Sequence, residues 1–402
     1  MTSADALSNL PPLHTDEVQH GALVLQAVRD AIERHGGWLP FDEYLRIVLY
    51  EPGLGYYSAG SAKIGSGGDF VTAPEVSELF GRAVARQCAQ LLQLAGGDVL
   101  ELGAGSGALA ESVLATLQQL GRLPQHYYIL EISADLRRRQ QLRLASLPAP
   151  LRSRVRWLDA LPDAPLAGVV LANEVADALP FKRFLIGADA LLERGVALSA
   201  QGQLIDADRP ADAALRAEVA HIAESLGQPS SLSAPWPWPA GYQSELCPML
   251  APWIAAIGAS LSRGALLLID YGLARHEYYH RQRFHGTLRC HFRQRAHEQP
   301  LLYPGLQDIS AWVDFTRLAE AGEDAGLRLA GYCSQAAFLL ANGIEADVAA
   351  SEATLDRARL ASQARALLLP GAMGETFKVM ALARAVTAPL RGFQYQDLRG
   401  SL

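Results

Sequence analysis

Acids and glycines are spaced in this chain as a small charged ligand would need them. In Val99-Leu100-Glu101-Leu102-Gly103-Ala104-Gly105-Ser106-Gly107, an apolar run carrying one carboxylate passes into three alternating glycines. Glycines at such a turn remove Cβ atoms, so a ligand can lie against the backbone. The first amides of a helix from Ala108 onward stay free to donate. Two ligand classes fit the spacing, because Gly103, Gly105 and Ala108 also satisfy the relaxed dinucleotide pattern GxGxxG/A. Glu101 separates them. Beside the pyrophosphate of NAD or FAD its carboxylate is repelled, whereas the sulfonium and ammonium of S-adenosylmethionine attract it.

Further acids follow at the ends of apolar runs. Glu131 closes His126-Tyr127-Tyr128-Ile129-Leu130, one βαβ unit after the glycines, where an acid can accept both ribose hydroxyls of either ligand. Asp159, after Val155-Arg156-Trp157-Leu158, stands where an adenine amino group needs an acceptor; a solvated turn residue is the equal alternative. Asn173-Glu174-Val175-Ala176-Asp177-Ala178-Leu179-Pro180 opens onto the same edge as the glycines. Glu174 and Asp177, with the Asn173 amide, can hold a planar cation by charge-assisted hydrogen bonds; helix capping by Asn173 or Asp177 is the plainer alternative. Asp69 and Thr72, in a glycine-rich stretch that can cover a ligand, offer an acid and a hydroxyl, and Asp69 and Asp270 are the reserve carboxylates.

The elements that must position these groups alternate. Strands are expected over 98–102, 127–132, 154–158, 167–172, 183–187, 264–270, 328–333 and 377–383, and helices over 107–120, 134–146, 177–182, 310–325, 335–342 and 353–369. That alternation argues for an α/β fold with a mostly parallel sheet covered on both faces. Residues 1–95 read as an N-terminal helical cap and cofactor-covering loop, 96–385 as the core and 386–402 as a tail. Two insertions, at about 188–260 and 272–308, are expected over the C-terminal edge of the sheet. The second holds five of the ten histidines and Arg275, Arg281, Arg283, Arg289, Arg293 and Arg295; it reads as a solvated, mobile insertion, with contact to RNA or an acidic protein surface as the alternative.

At 402 residues, half of them apolar, the chain can bury a large core. A net charge of −7 gives no general attraction for nucleic acid or an anionic membrane, and the apolar stretch near 264–271 falls far short of the roughly 20 residues a membrane helix needs. Cys88, Cys247, Cys290 and Cys333 lie far apart, as in a reducing compartment, and the first twenty residues lack Arg and Lys. A cytoplasmic location is the expectation.

With these residues assembled, the chain resembles the MidA family of class I methyltransferases, whose mitochondrial members act as complex I assembly factors. The resemblance runs from about Gly53 to Ala383. It rests on Gly55-Tyr56-Tyr57, Gly68 to Glu75, Phe80-Gly81, Glu101 to Gly107, Asn173 to Pro180, Ile269-Asp270-Tyr271-Gly272, Asp308 to Phe315, Gln335 with Phe338-Leu339, and Met373-Gly374. It implies a seven-stranded Rossmann-like sheet, S-adenosyl-L-methionine as methyl donor, and as acceptor an arginine in a subunit of respiratory complex I. Ala176, Ser310 and Trp312 depart from the family pattern. A noncatalytic assembly factor that keeps the fold, and an NAD-dependent oxidoreductase, are the alternatives.

Overall fold

A computed structural model describes residues 10–59, 72–227, 236–351 and 353–402. Its main sheet is built from β1 (Asp98–Leu102), β2 (Tyr127–Leu130), β3 (Val155–Leu158), β4 (Leu166–Asn173), β5 (Leu261–Leu273), β6 (Arg328–Ser334) and β7 (Phe377–Arg384). They lie in the order β6-β7-β5-β4-β1-β2-β3. From β3 across to β5 every pair is parallel, and β7 runs antiparallel to both β5 and β6. A short strand, Val313–Asp314, pairs with the end of β5.

Side chains alternate across these strands, so both faces are apolar. Val99, Val169, Leu171, Leu267 and Ile269 face the helices Glu78–Ala95 and Ala108–Gln119, which bury Phe80, Leu91, Val113 and Leu117. Leu100, Val170, Leu266 and Leu268 face Leu250–Ala259 and Phe315–Asp324, with Ile254, Ile257 and Leu318. Each such side chain contributes about 1.5–3 kcal/mol of burial. Strand order reverses between β1 and β4, so their C-terminal ends flank a crevice.

Two small antiparallel sheets stand over that edge. One contains Leu204–Pro210, Leu191–Leu198, Lys182–Ile186 and Gln243–Leu246; the other Arg295–His297, Arg289–Phe292 and Asp308–Ser310. They pack with the N-terminal helices Thr15–Arg34 and Phe41–Leu45 through Phe41, Tyr44, Phe181, Val196, Cys290 and Ile309.

Four sequence expectations change. The strand expected at 183–187 joins the first small sheet, not the main one. No helix forms at 177–182: Pro180 has no N–H and biases Leu179 toward extended backbone, so the turn after β4 cannot propagate. The insertion expected to be solvated makes ion pairs, several of them to other elements. Arg275 is buried against Asp314 (3.2 Å) and Glu320 (2.6 Å), Arg293 reaches Glu17 (2.7 Å), and Arg289 meets Glu298 (2.6 Å). The helix expected from 310 starts at Phe315, capped by Asp314, whose carboxylate accepts from the Arg317 N–H (3.1 Å). No helix among the described residues is long and apolar enough to cross a membrane.

Candidate active site

β1 ends where Gly103 takes φ +59, and Gly105 (+53) and Gly107 (+84) share that left-handed region, which only glycine enters without strain. Gly107 caps the helix Ala108–Gln119. A Cβ on Gly103 would sit 3.3 Å from Val175 Cγ2, so the turn lies directly against the segment after β4. Gln140 fixes it from behind: fully buried, it donates from Nε2 to the Gly105 carbonyl (3.0 Å) and to Glu131 Oε2 (2.8 Å), and its Oε1 accepts from the Trp157 indole (3.0 Å). On the open side, Arg143 donates to Ser106 Oγ (2.6 Å) and Glu75 (3.1 Å), and Ser106 also bonds Glu75.

A cavity of about 820 Å³ occupies the crevice. Glu101, Gly103, Gly105, Glu131, Thr72, Asn173, Glu174 and Asp177, all singled out in the sequence, line it together. Gly107 does not line it and serves the helix start. Asp159 lies elsewhere: its side chain is 87% exposed and pairs with Arg137 at 2.6 Å, which matches the solvated-turn alternative. Asp69 falls outside the described residues.

The end formed by β1 and β2 is built for positive charge. Glu101 is buried and accepts from the Tyr127 hydroxyl (2.6 Å); burial pushes its carboxyl up to about 7 against that bond, with the nearby Glu131 adding to the rise. Glu131 is also raised by burial, offset by the Ser133 N–H (2.9 Å) and Gln140. Two buried carboxylates face one cavity with no ion pair to a basic side chain among the described residues, Arg137 acting on Glu131 only through space, and this suits a ligand that brings its own cation. The sulfonium and ammonium of S-adenosyl-L-methionine meet that requirement.

At the other end, Asp270 at the end of β5 organises the turn after β4. Its Oδ2 accepts from the backbone N–H of Val175, Ala176 and Asp177 at 3.2, 3.0 and 3.3 Å, and its Oδ1 from that of Tyr271 at 2.9 Å. This folds Glu174 into φ +54, uncommon for a residue with a Cβ, and turns its side chain to the cavity. Burial raises the Glu174 carboxyl to about 8, with Asp177 adding repulsion and the Asn173 amide (3.2 Å) opposing. Asp177 rises to about 7 by burial, opposed by the Tyr271 hydroxyl on its Oδ2 and reinforced by Asp308. Asp270 is held well above the usual carboxylate range by burial and by both neighbours. Among the described residues, Asn173 Oδ1 and Asp177 Oδ1 are buried without a hydrogen-bond partner.

Sequence reasoning did not single out Gln140, Tyr271 or Glu75. Gln140 sits on a polar helix face, and only its complete burial shows its part.

The strand order, the antiparallel β7 and the glycine turn at the switch point define a Rossmann-like class I methyltransferase. The chain belongs to the family described as "Putative S-adenosyl-L-methionine-dependent methyltransferase", whose model matches residues 83–333. It is similar to a crystal structure from Burkholderia thailandensis bound to S-adenosyl-homocysteine: 41% identity, 98% of this chain and 100% of that one covered, TM-score 0.90. It is also similar to the protein arginine methyltransferase NDUFAF7, mitochondrial, of Danio rerio, 28% identical over 84% of this chain and 81% of that protein. The human counterpart is 27% identical over 85% and 79%. The chain is a methyltransferase that uses S-adenosyl-L-methionine, and the dinucleotide alternative falls. The cytoplasmic expectation is overturned by these relatives, which are named as mitochondrial; an acidic opening segment without Arg or Lys was too indirect a sign of location.

Proposed function

We propose that the methyl acceptor is an arginine side chain of a protein, held by Glu174 and Asp177 with help from Asn173, and that the protein is a respiratory complex I subunit as the family resemblance implies. The observation that carries this reading is the pair of orphaned acceptors, Asn173 Oδ1 and Asp177 Oδ1, beside a Glu174 whose carboxyl is raised to about 8. A guanidinium supplies what they lack: a delocalised charge and a planar fork of N–H donors. The arginine methyltransferase names of the curated relatives support the same acceptor.

S-adenosyl-L-methionine supplies an electrophilic methyl carbon on a positively charged sulfur. An arginine nitrogen must lose a proton as it gains the methyl group, because the guanidinium is fully protonated below a pKa of about 12. Arrival of that cation favours the ionised forms of Glu174 and Asp177. Asp177, its Oδ2 occupied by Tyr271, keeps Oδ1 to orient one N–H. Glu174, braced by Asn173, takes the proton from the attacking nitrogen. Glu101 and Glu131 would hold the donor end, beside a glycine turn that itself packs against Val175.

The test is incubation of the protein with isotopically labelled S-adenosyl-L-methionine and unmethylated cell extract, followed by peptide mass spectrometry. Label on an arginine is expected. Label confined to another residue type refutes the acceptor, and cofactor binding without transfer supports a noncatalytic assembly role.

A further inference from the structure

We propose that Asp308 is a third carboxylate of the acceptor end and contacts the substrate guanidinium directly; the inference rests on the arginine reading above. Asp308 belongs to the small three-stranded sheet, far in sequence from the β4 turn, yet it is 4% exposed and lines the same cavity as Glu174 and Asp177. Its Oδ1 accepts from the Tyr57 hydroxyl at 2.6 Å. Among the described residues that hydroxyl is the one hydrogen-bond donor to its carboxylate, which leaves acceptor capacity for a cation.

The surroundings tie it to Asp177. Residues two apart on a strand share a face, and Ser310 bonds the Tyr271 hydroxyl (2.7 Å), which in turn bonds Asp177. The Tyr57 ring stacks on Tyr50 with centroids 5.5 Å apart, and the Tyr50 hydroxyl donates to the Ala178 carbonyl. Two aromatic rings therefore span from Asp308 to the turn carrying Glu174 and Asp177. Among the described residues, two basic side chains line this cavity. Arg289 is engaged by Glu298 at 2.6 Å, and His291 stands 3.8 Å from Asp308 Oδ2, beyond hydrogen-bond distance. Asp177 Oδ1 is buried, unpartnered and on the same wall. Three carboxylates beside flat rings match a planar cation that can donate in several directions.

The probe is methylguanidinium chloride, titrated by calorimetry into protein saturated with S-adenosyl-homocysteine, with neutral methylurea as control. Wild type should bind methylguanidinium and not methylurea. Asp308→Asn should weaken that binding about tenfold, the loss of one charge-assisted contact, with S-adenosyl-homocysteine affinity unchanged and the melting temperature not lowered. Unchanged methylguanidinium binding in Asp308→Asn, while Glu174→Gln loses it, overturns this inference alone. Equal loss of S-adenosyl-homocysteine affinity shows a structural role and also overturns it. Wild type that ignores methylguanidinium, or binds methylurea as well, refutes the arginine reading and this inference with it. Should Asp308→Asn fail to fold, Tyr57→Phe decides: about threefold weaker methylguanidinium binding supports the contact, and unchanged binding overturns it.

Discussion

Replacing Glu174 by Gln should make the ligand-free protein more stable and the enzyme worse. The Glu174 carboxyl is raised in the fold from 4.5 to about 8. As pH climbs through that interval the unfolded chain ionises first, so wild type loses stability between about 4.5 and 8, while below about 4 the group is neutral in both states and contributes nothing. Converted at 1.36 kcal/mol per pH unit, the ceiling is ~5 kcal/mol. Glu174 opens on a wet cavity and shares its titration with Asp177 and Asp270, which reduces the expected gain to ~2 kcal/mol. Gln keeps the acceptor for the Asn173 amide and the same backbone strain, so little else changes. At ~2 cal/mol/K of unfolding entropy per residue, a chain of 402 residues converts that gain into roughly 2 °C. Thermal unfolding at pH 4 and pH 8.5 reads it directly: coincident curves at pH 4, the variant higher at pH 8.5. Methyl transfer should fall by about 100-fold or more, as expected for loss of a general base. Parallel melting temperatures across the whole pH range would refute the burial of an unpaired acid at this position. Loss of both stability and transfer would make Glu174 structural.

Gln140→Ala strips a donor from the Gly105 carbonyl and from Glu131, and should cost about 2–3 kcal/mol of stability with at least about tenfold weaker cofactor binding by calorimetry. Gly103→Arg places a side chain in left-handed backbone against Val175 and should abolish S-adenosyl-L-methionine binding; retained binding would remove the turn from the cofactor site. Asp159→Ala should leave cofactor affinity within about twofold, since this exposed acid meets only Arg137. A tenfold loss would return it to the adenine.

The parallel sheet was legible because its strands are buried on both faces and read as unbroken apolar runs; Val169, Val170, Leu171 and Ala172 have no alternative role. The strand Lys182–Ile186 opens on two cations and is half-buried, but its short local pattern does not say which sheet it joins. Its antiparallel partners, Arg183 with Arg194 and with Glu245, come from residues up to sixty positions away. The Arg-rich insertion misled for a related reason. Charge in sequence suggests solvent, whereas Arg275 is 3% exposed because Asp314 and Glu320 arrive on another element.

The site divides along the same line. Its cofactor end is local: Glu101, the glycines and Glu131 lie within one βαβ unit, so spacing alone carries the chemistry. The acceptor end is assembled from four distant segments, namely Tyr50 and Tyr57, Asn173 to Asp177, Asp270 and Tyr271, and Asp308. Asp270 is the reserve to Glu174 as a candidate base, and geometry separates them: its oxygens are filled by four backbone N–H groups, while Glu174 faces the cavity. One buried carboxylate holds the turn so that another can stay short of partners. An acid left short of partners is what a cationic acceptor needs, and its raised pKa is the cost of burying that acid without the cation.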